Sequence, residues 1–142
     1  MEATFLSVSE SSCLFLLSNS LGIIIPFLGP RSRKKVLSRK AKDAIADGKN
    51  LVFISAAVIW EIRIKQKLGK LELPHNFRKV LDSQPFEHLD ITVEHAHAVG
   101  DLPAYHSDPF DRMLVAQTKV EHLVLVTRDI GLKKYKIPII ES

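Results

Sequence analysis

The chain has 142 residues, 46% of them apolar and 25% charged, with a formal net charge of +4. That length suits one domain with a single core, and the composition excludes a disordered or collagen-like chain. The basic excess favours a polyanionic partner without specifying one, while the single cysteine, Cys13, excludes an internal disulfide framework and suits a reducing compartment such as the cytoplasm.

The N-terminal stretch differs from the rest: no charge falls between Glu10 and Arg31, and Leu14 to Leu17 and Ile23 to Ile25 are strongly apolar. Three readings are open, namely a buried core strand, a membrane anchor, and a segment foreign to the fold. A secretory signal normally opens with basic residues, whereas the first charge here is Glu2. Ser18, Asn19, Ser20, Gly22 and Pro26 interrupt a run that barely reaches the ~20 residues a bilayer requires. A buried strand is the expectation, and membrane association is not. Residues 1–35 are set apart as an atypical apolar segment able to supply a first strand, and 36–142 as the folded domain.

From Val36 onward the punctuation is regular. Leu37, Ala41, Ala44 and Ile45 recur at helical spacing behind a Ser38 cap, with Gly48 where a helix ends. Leu51 to Ser55 reads as a buried strand, and Ser55 caps a second helix that closes near Gly69. Pro74 separates a helix carrying Phe77, Val80 and Leu81; Leu89 and Ile91 suggest a short strand, and Thr92 caps a further helix. Asp108-Pro109-Phe110-Asp111 is a helix start, with a capping acid, proline at the first helical position and a second acid in the first turn. Leu123 to Thr127 is a buried strand, and Ile137 to Ile140 the last one, after a short helix around Leu132 to Tyr135. This alternation predicts an α/β sandwich with a mainly parallel central sheet flanked by helices, whose sites lie outside the carboxyl ends of the strands.

Four acids fall at that predicted edge. Glu61 lies early in the helix after Leu51 to Ser55, Asp129 follows the strand Leu123 to Thr127, and Asp108 and Asp111 open a helix. Clustered carboxylates repel one another unless a cation offsets their charge. Mg²⁺ takes oxygen donors, commonly one or two carboxylates together with waters. The plainer reading of each acid stands beside this one: Asp108 as an N-cap, Asp111 as the reciprocal half of that cap, Glu61 as a solvated helix residue, Asp129 as a turn former.

The stretches Ser55-Ala56-Ala57-Val58-Ile59-Trp60-Glu61-Ile62, Leu68-Gly69-Lys70-Leu71-Glu72-Leu73-Pro74, His106-Ser107-Asp108-Pro109-Phe110-Asp111-Arg112-Met113-Leu114-Val115-Ala116-Gln117 and Leu125-Val126-Thr127-Arg128-Asp129 resemble, in order and spacing, PIN-domain proteins of the VapC toxin type. The similarity runs from about Leu37 to Ile140. It implies a PIN fold, a Mg²⁺- or Mn²⁺-dependent ribonuclease activity on RNA, a cognate antitoxin that blocks the groove, and a homodimer as one assembly open to it. By position, Glu61, Asp111 and Asp129 would be the family's second, third and fourth acids and would carry the catalysis. Asp108 would support the metal set, and Ser55 and Thr127 would orient ligands or water.

One departure matters. The family opens with a strand running into a Leu-Leu-Asp-Thr-His-like motif whose Asp is a principal metal ligand, and here that place is held by Leu21-Gly22-Ile23-Ile24-Ile25-Pro26. No acid lies between Glu10 and Asp43. Either the chain works with an incomplete donor set, or it is a catalytically inactive PIN-like domain that binds antitoxin or RNA only. A third explanation is that the segment upstream of Val36 is translated in a shifted frame, which reading the encoding DNA in all three frames tests. His95 and His97 are expected as capping or solvated residues rather than a metal pair, because alternate helical positions face different ways. Trp60 is expected in the core. The basic residues of Arg31 to Lys42, with Arg63, Lys65, Lys67 and Lys70, form either an RNA-tracking surface or a solvated face.

Overall fold

The structure, a computed structural model, describes residues 22–25 and 37–142. Among them, five strands form one parallel sheet in the order β3-β2-β1-β4-β5. The central strand β1 (Gly22–Ile25) pairs with β2 (Leu51–Ser55), where Ile25 faces Ile54, and with β4 (Val124–Thr127), where Ile24 faces Leu125. The edges are β3 (Glu87–Leu89) beside β2 and β5 (Ile139–Glu141) beside β4. The chain works outward from β1 through β2 to β3, then crosses back to β4 on β1's other side. The strand order therefore reverses beside β1, the place where parallel sheets open a crevice at their carboxyl ends.

Helices cover both faces: α1 (Arg39–Ala46), α2 (Ala56–Lys67), α3 (Phe77–Asp82), α4 (Val93–Asp101) and α5 (Pro109–Val120), with a 3-10 turn over Ile130–Tyr135. Successive side chains of a strand point to opposite faces, and β1 shows it. Ile24 joins Val58, Ile62, Leu114 and Leu125 in one core, whereas Ile23 and Ile25 join Ala41, Val52, Val126 and Ile140 in the other. A strand buried on both faces reads as a continuous apolar run, which explains Gly22-Ile23-Ile24-Ile25. The rest of the segment 1–35 lies outside the described residues. Among the described residues, no helix is long and apolar enough to cross a membrane.

Local signals account for the helix starts. The Ser38 hydroxyl accepts from the Ala41 N–H at 3.1 Å, and the Ser55 hydroxyl from Ala57 at 3.0 Å. Thr92 forms a capping box in which the reciprocal acceptor is Nδ1 of His95. That ring is fully buried, and its Nε2 lies 2.7 Å from Glu121, the C-cap of α5. His95 is thus a capping residue, and His97 is exposed.

Two expected strands shift. β3 spans Glu87–Leu89, so Ile91 lies beyond it, and β5 begins at Ile139 because Ile137 instead packs into the core from the preceding connection. Trp60 is a correction: it is 59% exposed, since the buried stripe of α2 is Ala57, Val58 and Ile62 and position 60 turns away from it.

Candidate metal centre

Three elements converge on the carboxyl edge of the sheet. Glu61 sits in the second turn of α2, past the cap that Ser55 provides at the end of β2. Asp108 caps α5, its Oδ1 accepting from the N–H groups of Phe110 at 2.8 Å and Asp111 at 3.2 Å. That leaves Asp111, in the first turn, with its side chain directed elsewhere: its Oδ2 lies 3.5 Å from Nε2 of His106. Asp129 follows β4, its backbone N–H donating to Thr127 Oγ1 at 3.1 Å and its Oδ1 accepting from Gly131 N–H at 2.8 Å. A Cβ at residue 131 would come within 2.9 Å of that same oxygen, so glycine is required for the carboxylate to sit there.

His106 links the two halves. Its Nε2 is 2.7 Å from Asp129 Oδ2, and its Nδ1 accepts the Asp108 backbone N–H at 3.2 Å. An Nδ1 that accepts carries no proton, so the neutral ring holds its hydrogen on Nε2 and donates to Asp129. Ligand atoms of His106, Asp111 and Asp129 all lie within 4.8 Å of one another, a spacing a metal ion could span. In this tautomer, however, the ring nitrogen facing the acids is a donor, so the carboxylates are the available ligands.

The electrostatics separate the acids. Burial, the nearby Asp108 charge, and the charges of Glu61 and Asp129 push the Asp111 carboxyl up to about 6, against the lowering influence of His106. Asp129 is held below the usual carboxylate range, first by the His106 hydrogen bond and then by the Gly131 N–H. Glu61 is paired with Lys65 one turn along α2.

The two supporting hydroxyls fall differently. Thr127 receives the Asp129 N–H and so fixes that acid's backbone. Ser55 is fully buried and donates to Gln117 Oε1 at 2.6 Å, while Gln117 donates onward to the Asp90 carbonyl at 3.2 Å. Its hydroxyl is engaged with α5 and the end of β3. Trp60 meets Phe110 edge-on, with ring centroids 5.2 Å apart and planes at 78°. Each of these aromatics immediately precedes a site acid, Glu61 and Asp111, so the pair joins the two acid-bearing helices. The residue that sequence reasoning missed is His106; it stood in the quoted motif two positions before Asp108, and that i to i+2 spacing is what lets Nδ1 reach the Asp108 N–H.

The central strand contributes no acid. β1 is Gly-Ile-Ile-Ile, and the next residue in sequence is Pro26.

A family model described as PIN domain matches residues 22–138, and the chain belongs to that family. Solved structures with the same fold include the DNA-bound VapBC from Salmonella typhimurium, at 17% identity and a TM-score of 0.61, covering 85% of this chain and 98% of that one. VapBC2 from Rickettsia felis, bound to a DNA fragment from the promoter, is similar at 16% identity and a TM-score of 0.59, again covering 85% of this chain and 98% of that one. No curated protein matches.

Proposed function

We propose that this PIN domain is a VapC-type toxin, an endoribonuclease dependent on Mg²⁺ or Mn²⁺, acting in the cytoplasm and restrained by a cognate antitoxin. The observation that carries the proposal is the crowding of Asp108, Asp111 and Asp129 with Glu61 nearby, which adds to burial in raising Asp111 to about 6. Such crowding disfavours the ionised acids unless a cation is present. The donor set fits a hard divalent ion: all the available ligands are oxygens, and two or three carboxylates suffice when waters complete the shell. Glu61, Asp111 and Asp129 would hold it, with Asp108 alongside. When bound, such an ion supplies Lewis acidity toward a phosphoryl oxygen and lowers the pKa of a water.

The chain's own residues set up the rest. His106 and Gly131 keep Asp129 ionised and oriented, and the Asp108 cap leaves the Asp111 carboxylate directed at the site. Lys65 on α2 lies beside Glu61, and Arg63, Lys67 and Lys70 add positive charge on and just after that helix, suited to an RNA backbone. Likeness to VapBC complexes supports an antitoxin partner, and a homodimer belongs to the same reading.

The absence of an acid from β1 favours a second reading, a PIN domain that binds antitoxin or RNA without cutting. Structured RNA incubated with purified protein and Mg²⁺ or Mn²⁺, alongside Asp111→Asn and Glu61→Gln, separates the two. Cleavage that needs metal and is lost in both variants is expected. Equal residual cleavage in all three proteins would sink the nuclease reading.

A further inference from the structure

Arg112 follows Asp111 on α5 but turns away from the acids. Its Nη1 donates to the carbonyls of Pro103 at 2.8 Å and His106 at 3.4 Å and to the Tyr135 hydroxyl at 3.2 Å. Its Nη2 donates to the carbonyls of Val99 at 3.1 Å and Leu102 at 3.2 Å. One guanidinium therefore gathers the last turn of α4, the connection into α5, and the 3-10 turn after β4. Among the described residues, no backbone-to-backbone hydrogen bond ties residues 103–107 to the rest of the fold. Besides Arg112, this connection is held by the buried Leu102, by the Tyr105 ring against Tyr135 with centroids 5.2 Å apart, and by the His106 ring itself.

That connection is what delivers His106 to the acids. If its carbonyls drift, Nε2 loses its 2.7 Å approach to Asp129 and Nδ1 its contact with the Asp108 N–H. We infer that Arg112 is a positioning residue for the acidic site, acting through the connection from Leu102 to Asp108 to hold the His106 imidazole between Asp111 and Asp129. A planar group with five N–H donors in a fixed fork can serve carbonyls from several directions at once. Lysine, with three donors on one nitrogen, cannot span the same acceptors. The side chain's value here lies in its shape as much as its charge.

The catalytic meaning of this inference rests on the nuclease reading, but its test does not. Arg112→Ala, Arg112→Lys and Tyr135→Phe are compared with wild type by the ring ¹⁵N shifts of His106, by Mn²⁺ titration and by thermal unfolding. Wild type should show a single Nε2–H tautomer. Both Arg112 variants should show averaged ring shifts and a Mn²⁺ affinity about tenfold weaker, the range seen when groups that orient metal ligands are removed. Tyr135→Phe, which keeps the guanidinium, should move both readouts in the same direction by less. Any RNA cleavage should lose kcat with KM unchanged. Wild-type ring shifts and Mn²⁺ affinity in both Arg112 variants would overturn the inference, as would full restoration by lysine, which would reduce the role to charge. If Arg112→Ala fails to fold, the lysine and Tyr135→Phe arms decide. A wild type that neither binds Mn²⁺ nor cleaves RNA would remove the nuclease reading, while the ring shifts would still judge Arg112.

Discussion

His106 donates to Asp129 at 2.7 Å only because Asp108, from its backbone, occupies the other ring nitrogen at 3.2 Å. The start of α5 and the orientation of an acid after β4 are thereby one event. His106→Ala removes the donor that is the leading cause of Asp129's lowered pKa. The Asp129 carboxyl should then titrate at higher pH, as expected when a hydrogen bond that favours the ionised form is lost. Side-chain ¹³C shifts followed through a pH series measure this, and an unmoved midpoint would refute the assignment of the hydrogen to Nε2.

Asp111 gives the stability a pH dependence of the opposite sign to that of a salt-bridged acid. Its folded-state value of about 6 lies above the ordinary 3.8, so the folded protein holds this proton more tightly than the unfolded chain. The group is neutral in both states below about pH 4, and its ionisation costs the folded state progressively as pH rises through 6. With Asp111 a third exposed, solvent screening reduces the cost to the order of 1–2 kcal/mol. Asp111→Asn should therefore match wild type near pH 4 and exceed it near pH 7.5, as read from urea midpoints. A difference that does not change with pH would remove Asp111 as its source.

The grouping of Asp108, Asp111 and Asp129 near Glu61 should also make wild type responsive to cations. Mg²⁺ at about a hundred times its dissociation constant would add about 2.7 kcal/mol to the folded state, a rise of several degrees in Tm. Asp111→Asn should show a much smaller rise. Equal shifts in the two proteins would mean that the ion binds elsewhere.

Trp60 should be nearly dispensable for folding. A buried tryptophan cut to alanine costs ~3–5 kcal/mol, but this one is 59% exposed and its ring contact is the edge of Phe110. Trp60→Ala should cost about 1 kcal/mol, the scale of one aromatic pair plus partial burial. Chemical denaturation giving a loss above 3 kcal/mol would show that the residue is core after all.

Much of this arrangement was legible because single residues announce it. Ser38, Ser55, Thr92 and Asp108 all cap helices where hydroxyl or carboxylate chemistry predicts, and Pro109 stands at the first helical position. Ile23 to Ile25 show no alternation because the strand is buried on both faces, and it was the interruptions at Gly22 and Pro26 that favoured strand over a long apolar helix. What escaped were relationships across the fold. The apolar character of Trp60 suggested burial, yet helical phase decides burial, and the core took Ala57, Val58 and Ile62. Ser55 looked free to serve the site, but Gln117, 62 positions away, claims its hydroxyl. Arg112 stood in the motif with no role of its own, since no local pattern reveals that five acceptors will surround it.

The central strand carries a consequence for how such a domain can change over time. Gly22–Ile25 is held in place by cores on both faces and by neighbours on both edges. Selection for a folded scaffold therefore acts on every apolar side chain of β1, while selection for chemistry acts only at the strand's carboxyl tip. The two pressures are separable at adjacent positions. A PIN domain can therefore lack a metal ligand there and still keep a scaffold fit for binding.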